Sequence, residues 1–480
     1  MILLLVAAGL HREIRRQFFR GQFPPQVPRE PGGRFQLTTD NGPSTIGFTR
    51  TVSESDCLGL RSMTNVLEIG VEQLRGVWAE RQGLAEPLAG RVSGVVGRCG
   101  WMNSAGSSVP YVALRARIPG CTRSDVDLEV FESESIIEAF AVRACTMLLP
   151  REDLPLALAS AHRALAPHFE KVYQTCPVTE RDVKVLSEVL VRVLQEEALT
   201  LEAIRDSVPQ QLVRSLGNPG KQLGESTTLS FALRNLRVDG VVQRVPADRR
   251  LDSDRFTFKL LPHDIAQEVA QLRGDETLVK ELCRRFFRWA SPATIKEFAW
   301  WAGTNQKEAQ KAMKALRLAQ AKVREWSETV WFFEDDTAKL RKPPHLKPDA
   351  ITLLPFRDNY LYFRRGLAVF VRPEDQGAEV LDWRGRPARI AEMENIHNNA
   401  IVAGGRLVGV WEYDPEEEEI VWKTFNGVPV FLQRILAAKI EELENFVRNQ
   451  LGDVQFYGMD TGLKRRQRIA RLRSGGSLSH

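Results

Sequence analysis

The side chains whose types and spacing suit chemistry lie between Gly100 and Arg117, in the stretch GWMNSAGSSVPYVALRAR. Asn103 supplies a carboxamide, and Ser104 and Ser107 supply hydroxyls close by. Amide and hydroxyl groups accept and donate hydrogen bonds without titrating near neutrality. They suit the holding of a water molecule or of a polar substrate edge rather than strong proton transfer. A second candidate is Asp358 in LLPFRDNYL. Its carboxylate could stabilise positive charge or activate water. It could equally cap the turn beside Arg357, Arg364 and Arg365, and the sequence leaves both readings open. The six cysteines, at 57, 99, 121, 145, 176 and 283, include no C-x-x-C pair, and none of the seven histidines stands at ligand spacing from a cysteine or another histidine. The chain is expected to use no metal and no cofactor, and to work in a reducing compartment.

The candidate stretch itself reads as a Gly/Ser turn feeding a helix that starts near Pro110. At 480 residues, with 43% hydrophobic and 26% charged residues, the chain has room for two to four globular domains. The 66 Lys and Arg against 61 Asp and Glu leave a net charge of only +5. Attraction to a polyanion therefore has to come from where the charges lie, not from their sum. The apolar run Met1 to Leu10 is far shorter than the roughly 20 residues of a membrane span. Its flanking charges, Arg12, Arg15 and Arg16, follow it instead of preceding it, unlike a secretory signal. A cytoplasmic, monomeric protein without a membrane partner is expected.

Along the chain, residues 1–62 are rich in Pro, Gly, Ser and Thr and are expected to be disordered, with folding beginning near Met63. A first unit over 63–175, carrying the candidate site, opens on an amphipathic helix over Leu67 to Gln82. It also contains an apolar stretch, Ile136 to Leu149, that reads as a buried strand or hairpin. A second unit over 176–275 shows three helices, the third capped by Ser226, and then two strands joined by PADRRLDSD. In that third helix Ser230, Arg234 and Arg237 share one face, and the loop tip adds Arg249 and Arg250. A third unit over 276–341 repeats the pattern, with Lys307, Lys311 and Lys314 on the outer face of its third helix and strands around Val323 to Trp326 and Val330 to Phe333. Three helices followed by a two-stranded wing make a winged helix, and such proteins lay the third helix in the DNA major groove. A basic outer row can also be an ordinary solvated face. After a Pro-rich linker, 349–455 reads as strands of a small barrel with a closing helix, and 456–480 as a flexible basic tail. The fold class expected is α+β, with tandem winged-helix (helix-turn-helix) domains followed by a small β-barrel.

This order of units resembles the AlkZ/YcaQ-type DNA glycosylases. VRACTMLLPRED from Val142 is similar to that family's R-G-T-L-H-L-V-P stretch, and SPATIKEFAWWAG from Ser291 to its G-P-A-T-x-x-D-F-x-x-W-x-G stretch. LLPFRDNYL from Leu353 and AIVAGGRLVGVW from Ala400 resemble two motifs of its barrel. The resemblance implies a DNA-repair protein that hydrolyses the N-glycosidic bond of alkylated or crosslinked bases in double-stranded DNA, associated with the nucleoid. It implies DNA contacts from Arg143 and from the basic residues of the two third helices and the loop tip. The family's Q-x-Q or Q-x-D signature, counted back from Arg117, falls on Asn103, Ser104 and Ala105. The first amide is kept one methylene shorter, the second polar residue is lost, and Met147 stands where the family has His. Glycosidic cleavage passes through an oxocarbenium-like state, and removing one group that orients or stabilises the reacting atoms typically costs about 10²-fold or more. Two expectations stay open: a glycosylase with a diverged signature, using Asn103, Ser104 and Asp358, or a non-catalytic winged-helix regulator or damage sensor.

Overall fold

The computed structural model describes residues 67–474, apart from 105, 106, 275, 327, 383, 384, 453, 455 and 457–460. The segment 1–62, the start at Met63 and Ala105 of the candidate stretch lie outside these residues. The single helix expected over Leu67 to Gln82 is divided into β1 (Leu67–Ile69) and α1 (Val71–Arg81). Then follow α2 (Val92–Cys99), β2 (Met102–Asn103), α3 (Val109–Arg115) and α4 (Arg123–Phe131). Thr122 starts α4 through a reciprocal pair of bonds with Asp125, which satisfies backbone N–H groups that the first turn leaves open. The apolar stretch forms a hairpin, β3 (Ile136–Phe140) and β4 (Thr146–Pro150), and the sheet order is β2-β4-β3. Strand alternation divides its side chains between two cores. Ile137, Ala139, Met147 and Leu149 enter one with Trp101. Ile136, Leu148 and Met102 enter another with α2, α3 and α4.

The 22-residue helix α5 (Leu154–Thr175) carries buried Leu and Ala residues into the larger core and leads to the second unit. There α6 (Glu180–Val193), β5 (Leu199–Thr200), α7 (Leu201–Ser207), α8 (Gly217–Gln222) and α9 (Thr228–Val238) precede the strands β6 (Val242–Pro246) and β7 (Phe256–Leu260). Thr227, not Ser226, caps α9, accepting from the Ser230 amide. β5 adds a third strand, in the order β5-β7-β6. α10 (His263–Gly274) returns to pack along α5.

The third unit contains α11 (Thr277–Ala290), α12 (Ile295–Ala302), α13 (Gln306–Ala315), β8 (Ala319–Val323) and β9 (Thr329–Phe332). The strands sit a few residues earlier than the sequence pattern places them. β1 pairs parallel with β8, Leu67 opposite Ala321, and α14 (Thr337–Arg341) packs on α1. The first described elements therefore complete the third unit's sheet instead of opening the first unit. An isolated three-residue segment carries no information about a partner strand some 250 residues away, which is why periodicity merges it with the helix that follows.

The C-terminal region holds β10 (Ile351–Leu354), α15 (Asn359–Tyr362), β11 (Glu379–Leu381), β12 (Pro387–Arg389), β13 (Asn399–Ala403), β14 (Arg406–Asp414) and β15 (Glu419–Thr424). The barrel expected here is corrected. The main sheet is open and antiparallel, in the order β10-β13-β14-β15, and β11 and β12 form a separate pair. The run LAVFV is not a strand, although Leu367, Phe370 and Val371 are buried. Closure is unnecessary because both faces are covered. Leu353, Ile401 and Trp411 pack under α16 (Val430–Phe446). Leu354, Val402 and Val410 join the core around Trp78 of α1. The tail expected to be flexible contains α17 (Gly462–Ser474), which docks on β14 and β15 and buries Ile469 and Leu472. Among the described residues, no helix is long and apolar enough to cross a membrane.

Candidate functional site

Gly100 ends α2 at φ +94, and a Cβ there would lie 2.9 Å from the Trp289 ring. Only glycine meets both conditions without strain. The chain then turns into β2, held by Trp101. Its indole N–H donates to Asp153 Oδ2 at 2.8 Å, and its ring packs 5.5 Å from Trp289 and 5.7 Å from Trp301, centroid to centroid. Asp153 is fixed in turn by Arg285 at 2.7 Å. The strand carrying the candidate amide is thus anchored by an aromatic cluster from the third unit.

Asn103 pairs with Met147, which pairs with Ala139 across the next strand. It is 6% exposed, and its carboxamide makes no hydrogen bond to another described residue. Ser104 follows on extended chain, so its side chain is directed to the other side of the sheet. Its N–H donates to Thr146 O at 3.1 Å, and its hydroxyl donates to Glu138 Oε1 at 2.5 Å. Ser107 donates to the Ser104 carbonyl, and Ser108 donates to Asp252 Oδ2 at 2.9 Å. Of the polar residues in the stretch, Asn103 alone has a side chain that makes no hydrogen bond to a described residue.

Glu138 is the group that the sequence reading missed. It sits inside an apolar run, where a lone acid reads as an outward-facing position, yet it is buried. It receives Ser104 at 2.5 Å and lies 3.7 Å from an Arg244 guanidinium nitrogen. Arg237 belongs to the same cluster, with its guanidinium 4.0 Å from the Phe140 ring centre. Burial, and then the positive charges of Arg244 and Arg234, push the Arg237 pKa well down, while Glu138 acts in the opposite direction. The buried charge of Arg237 is therefore costly and is offset by Glu138.

Asp358 is placed away from this cluster. Both of its oxygens accept from Arg117, at 2.7 and 2.8 Å, and it caps α15 by accepting from Tyr360 N at 3.0 Å. The side chains are 0% and 1% exposed for Arg117 and Asp358. Arg117 also donates to Ala113 O at 2.8 Å and Gln82 Oε1 at 3.2 Å. A carboxylate sealed in this way fastens α3 to the C-terminal region and has no free lone pair facing solvent.

The expected DNA contacts divide in two. On α13, Lys307, Lys311 and Lys314 are exposed as the sequence predicts, and of the three only Lys311 is paired with a described residue, Glu276 at 2.5 Å. The row on α9 is not the exposed face that its spacing predicts. Arg234 is 3% exposed and paired with the fully buried Glu225 at 2.8 Å. Arg237 is 6% exposed, and Ser230 completes the N-terminal cap by donating to Thr227 O at 2.9 Å. The supposed outer face of α9 is covered because α6, α5 and β6 all pack around the helix. The loop tip is occupied too. Arg249 pairs with Glu132 of the first unit, and Arg250 binds Asp252 at 2.9 Å and the Leu451 carbonyl at 2.6 Å. Arg143 has a positive φ of 56°. It lies 4.0 Å above the Trp300 ring centre and donates to Tyr362 Oη at 2.6 Å.

Among known proteins, the family described as "DNA glycosylase AlkZ-like" matches residues 96–446. In structure the chain is similar to the Streptomyces sahachiroi DNA glycosylase AlkZ, with a TM-score of 0.57 and 21% identity, over 79% of this chain and 98% of that one. No curated protein sequence matches.

Proposed function

The chain belongs to the AlkZ-like DNA glycosylase family, and from that premise we propose that it hydrolyses the N-glycosidic bond of alkylated or crosslinked bases in double-stranded DNA through a diverged site centred on Asn103. The observation that carries this reading is the carboxamide of Asn103, which makes no hydrogen bond to a described residue and stands where the resemblance places the signature's first amide. Its Oδ1 accepts a hydrogen bond from the attacking water and places it below C1′ of the extruded nucleotide. The same oxygen faces the positive charge that develops on the sugar. A cationic alkylated base is already activated as a leaving group, so the step needs no strong general acid. Water attacks C1′, the glycosidic bonding pair leaves with the base, and the water proton passes to solvent.

Ser104 serves in this reading as a positioning residue. Its bonds to Thr146 and Glu138 hold β2, and with it Asn103, against β4. Asp358 fastens the scaffold and is not part of the reacting set. We read the helix and strand patterns of 176–275 and 276–341 as winged helices, the second completed by β1. DNA phosphates are gripped by Lys307, Lys311 and Lys314 on α13, whose exposure suits that role. Arg234, Arg237 and Arg250 support the fold instead.

A second reading, a non-catalytic damage sensor on the same scaffold, is favoured by the commitment of Ser104 and Asp358 to internal partners. Incubation with alkylated or crosslinked duplex, followed by alkali to cut abasic sites, separates the two. The expected result is strand cleavage by the wild type and a loss of about 10²-fold with Asn103→Ala, with duplex affinity unchanged. Binding without cleavage across a broad lesion panel would leave the sensor reading standing and remove the first.

A further inference from the structure

A cavity of about 330 Å³ lies between α17, the β11–β12 pair and the main sheet, and Asn103 is not among the residues that line it. Its size is at the lower end of ligand pockets, which run from roughly 300 to 1,000 Å³, and so suits one nucleotide rather than a length of strand. Asn398, 5% exposed, lines it, and the buried Asn398 Oδ1 has no hydrogen-bond partner. Buried carboxamide atoms are seldom left unpaired. Phe425 contributes an aromatic ring, and Lys423, Arg468 and Arg471 contribute three cations against the single carboxylate of Glu379.

The pairing of the basic helix shows which of these charges is available. Arg466 and Arg473 are matched by the acidic end of the β14–β15 hairpin, through Glu416 at 3.4 Å and Glu419 at 2.6 Å. Arg468 is held by Glu412 at 2.5 Å. The basic helix is thus largely neutralised by its own fold and is no general DNA-binding stripe. Lys423 makes no ion pair with a described residue. Arg471 reaches Glu379 only at 3.7 Å, with both side chains about half exposed. Exposed pairs of this length are weak and yield readily to a phosphate.

We propose that this cavity binds one unpaired nucleotide, its phosphate on Lys423 and Arg471, its base against Phe425 and the base's N–H edge on Asn398. Stacking on an aromatic ring combined with cations on the backbone is how proteins hold single-stranded nucleic acid without reading much sequence. α17 lies beyond the segment shared with the family, which ends at residue 446. Arg471 thus comes from beyond that segment, whereas Asn398, Lys423 and Phe425 lie within it. The cavity's occupant is either a nucleotide from an unpaired DNA end or a free nucleoside monophosphate.

The full-length protein is titrated with a fluorescent duplex carrying a three-nucleotide overhang, with the same duplex made blunt, and with deoxyadenosine monophosphate. A DNA end as the source predicts tighter binding of the overhang duplex, with the advantage lost in Lys423→Glu. A free nucleotide as the source predicts monophosphate binding with no overhang preference, weakened about tenfold or more by the same substitution, since a charge-assisted contact is removed. Asn398→Ala is expected to weaken either ligand while leaving binding of the blunt duplex unchanged. Equal affinity for blunt and overhang duplexes together with no monophosphate binding overturns the proposal, as does ligand binding that survives Lys423→Glu in a variant with a wild-type circular dichroism spectrum. Excision of damaged bases plays no part in these readouts, so the test stands apart from the fate of the glycosylase reading.

Discussion

Replacing Asp358 by alanine tests whether this carboxylate is a fastening or a reacting group. The substitution leaves the Arg117 guanidinium, whose side chain is 0% exposed, without the two oxygens it meets at 2.7 and 2.8 Å. Breaking one side of a buried ion pair costs about 3–5 kcal/mol, because the remaining charge stays desolvated and unpaired. Loss of the α15 cap, the bond from Tyr360 N at 3.0 Å, adds about 0.5–2 kcal/mol. Removing both charges in Arg117→Met with Asp358→Leu should recover much of the loss, since a well-packed apolar pair is often as stable as a buried ionic one. Recovery stays incomplete because Ala113 O and Gln82 Oε1 also accept from Arg117. The assay is urea unfolding followed by tryptophan fluorescence, where Trp101, Trp289 and Trp301 report on the neighbouring core. The reasoning fails if Asp358→Ala leaves the unfolding midpoint unchanged while abolishing cleavage of alkylated duplex. That outcome would make Asp358 a reacting group after all.

Three other outcomes are expected. Arg234→Met strips from the buried Glu225 the guanidinium that meets it at 2.8 Å, so stability should fall by about 3–5 kcal/mol, while the salt dependence of DNA binding keeps its slope. Changing Lys307, Lys311 and Lys314 together to alanine should instead leave unfolding unaltered and reduce the slope of log K against log salt by about 3, roughly one unit per phosphate contact. An unchanged slope would take α13 off the DNA. Stability should also fall as the pH is lowered from about 6.5, the ordinary histidine pKa, because burial and then the charge of Arg357 push His397 down to about 4. Between those values the unfolded chain binds a proton that the folded chain does not. Stability is thus fully present above the upper value and lost toward the lower one, and His397→Gln should flatten the profile measured by thermal unfolding.

The sequence by itself determined the local grammar. Caps such as Thr122 with Asp125, Thr179 with Asp182 and Thr294 with Glu297 act within three residues, so the starts of α4, α6 and α12 are written in neighbouring side chains. The motifs that carry the family resemblance were also legible, because they depend on residue types at fixed spacing. The exposed lysines of α13 followed from helical periodicity alone. Tertiary structure decided whatever depends on what covers a face. Arg234 and Arg237 have the spacing of an outer row, and only the packing of α6, α5 and β6 around α9 turns them inward. Leu67 to Ile69 continues a helical pattern until β8 supplies its ladder. The barrel motifs are present in sequence, but α16 and the core around Trp78 cover both faces of the sheet and remove the need to close it. At the site, Glu138 joins Ser104 across 34 positions of chain, and Asp358 joins Arg117 across 241. Periodicity reports which side of an element is apolar; it carries no information about which distant charge arrives to meet it.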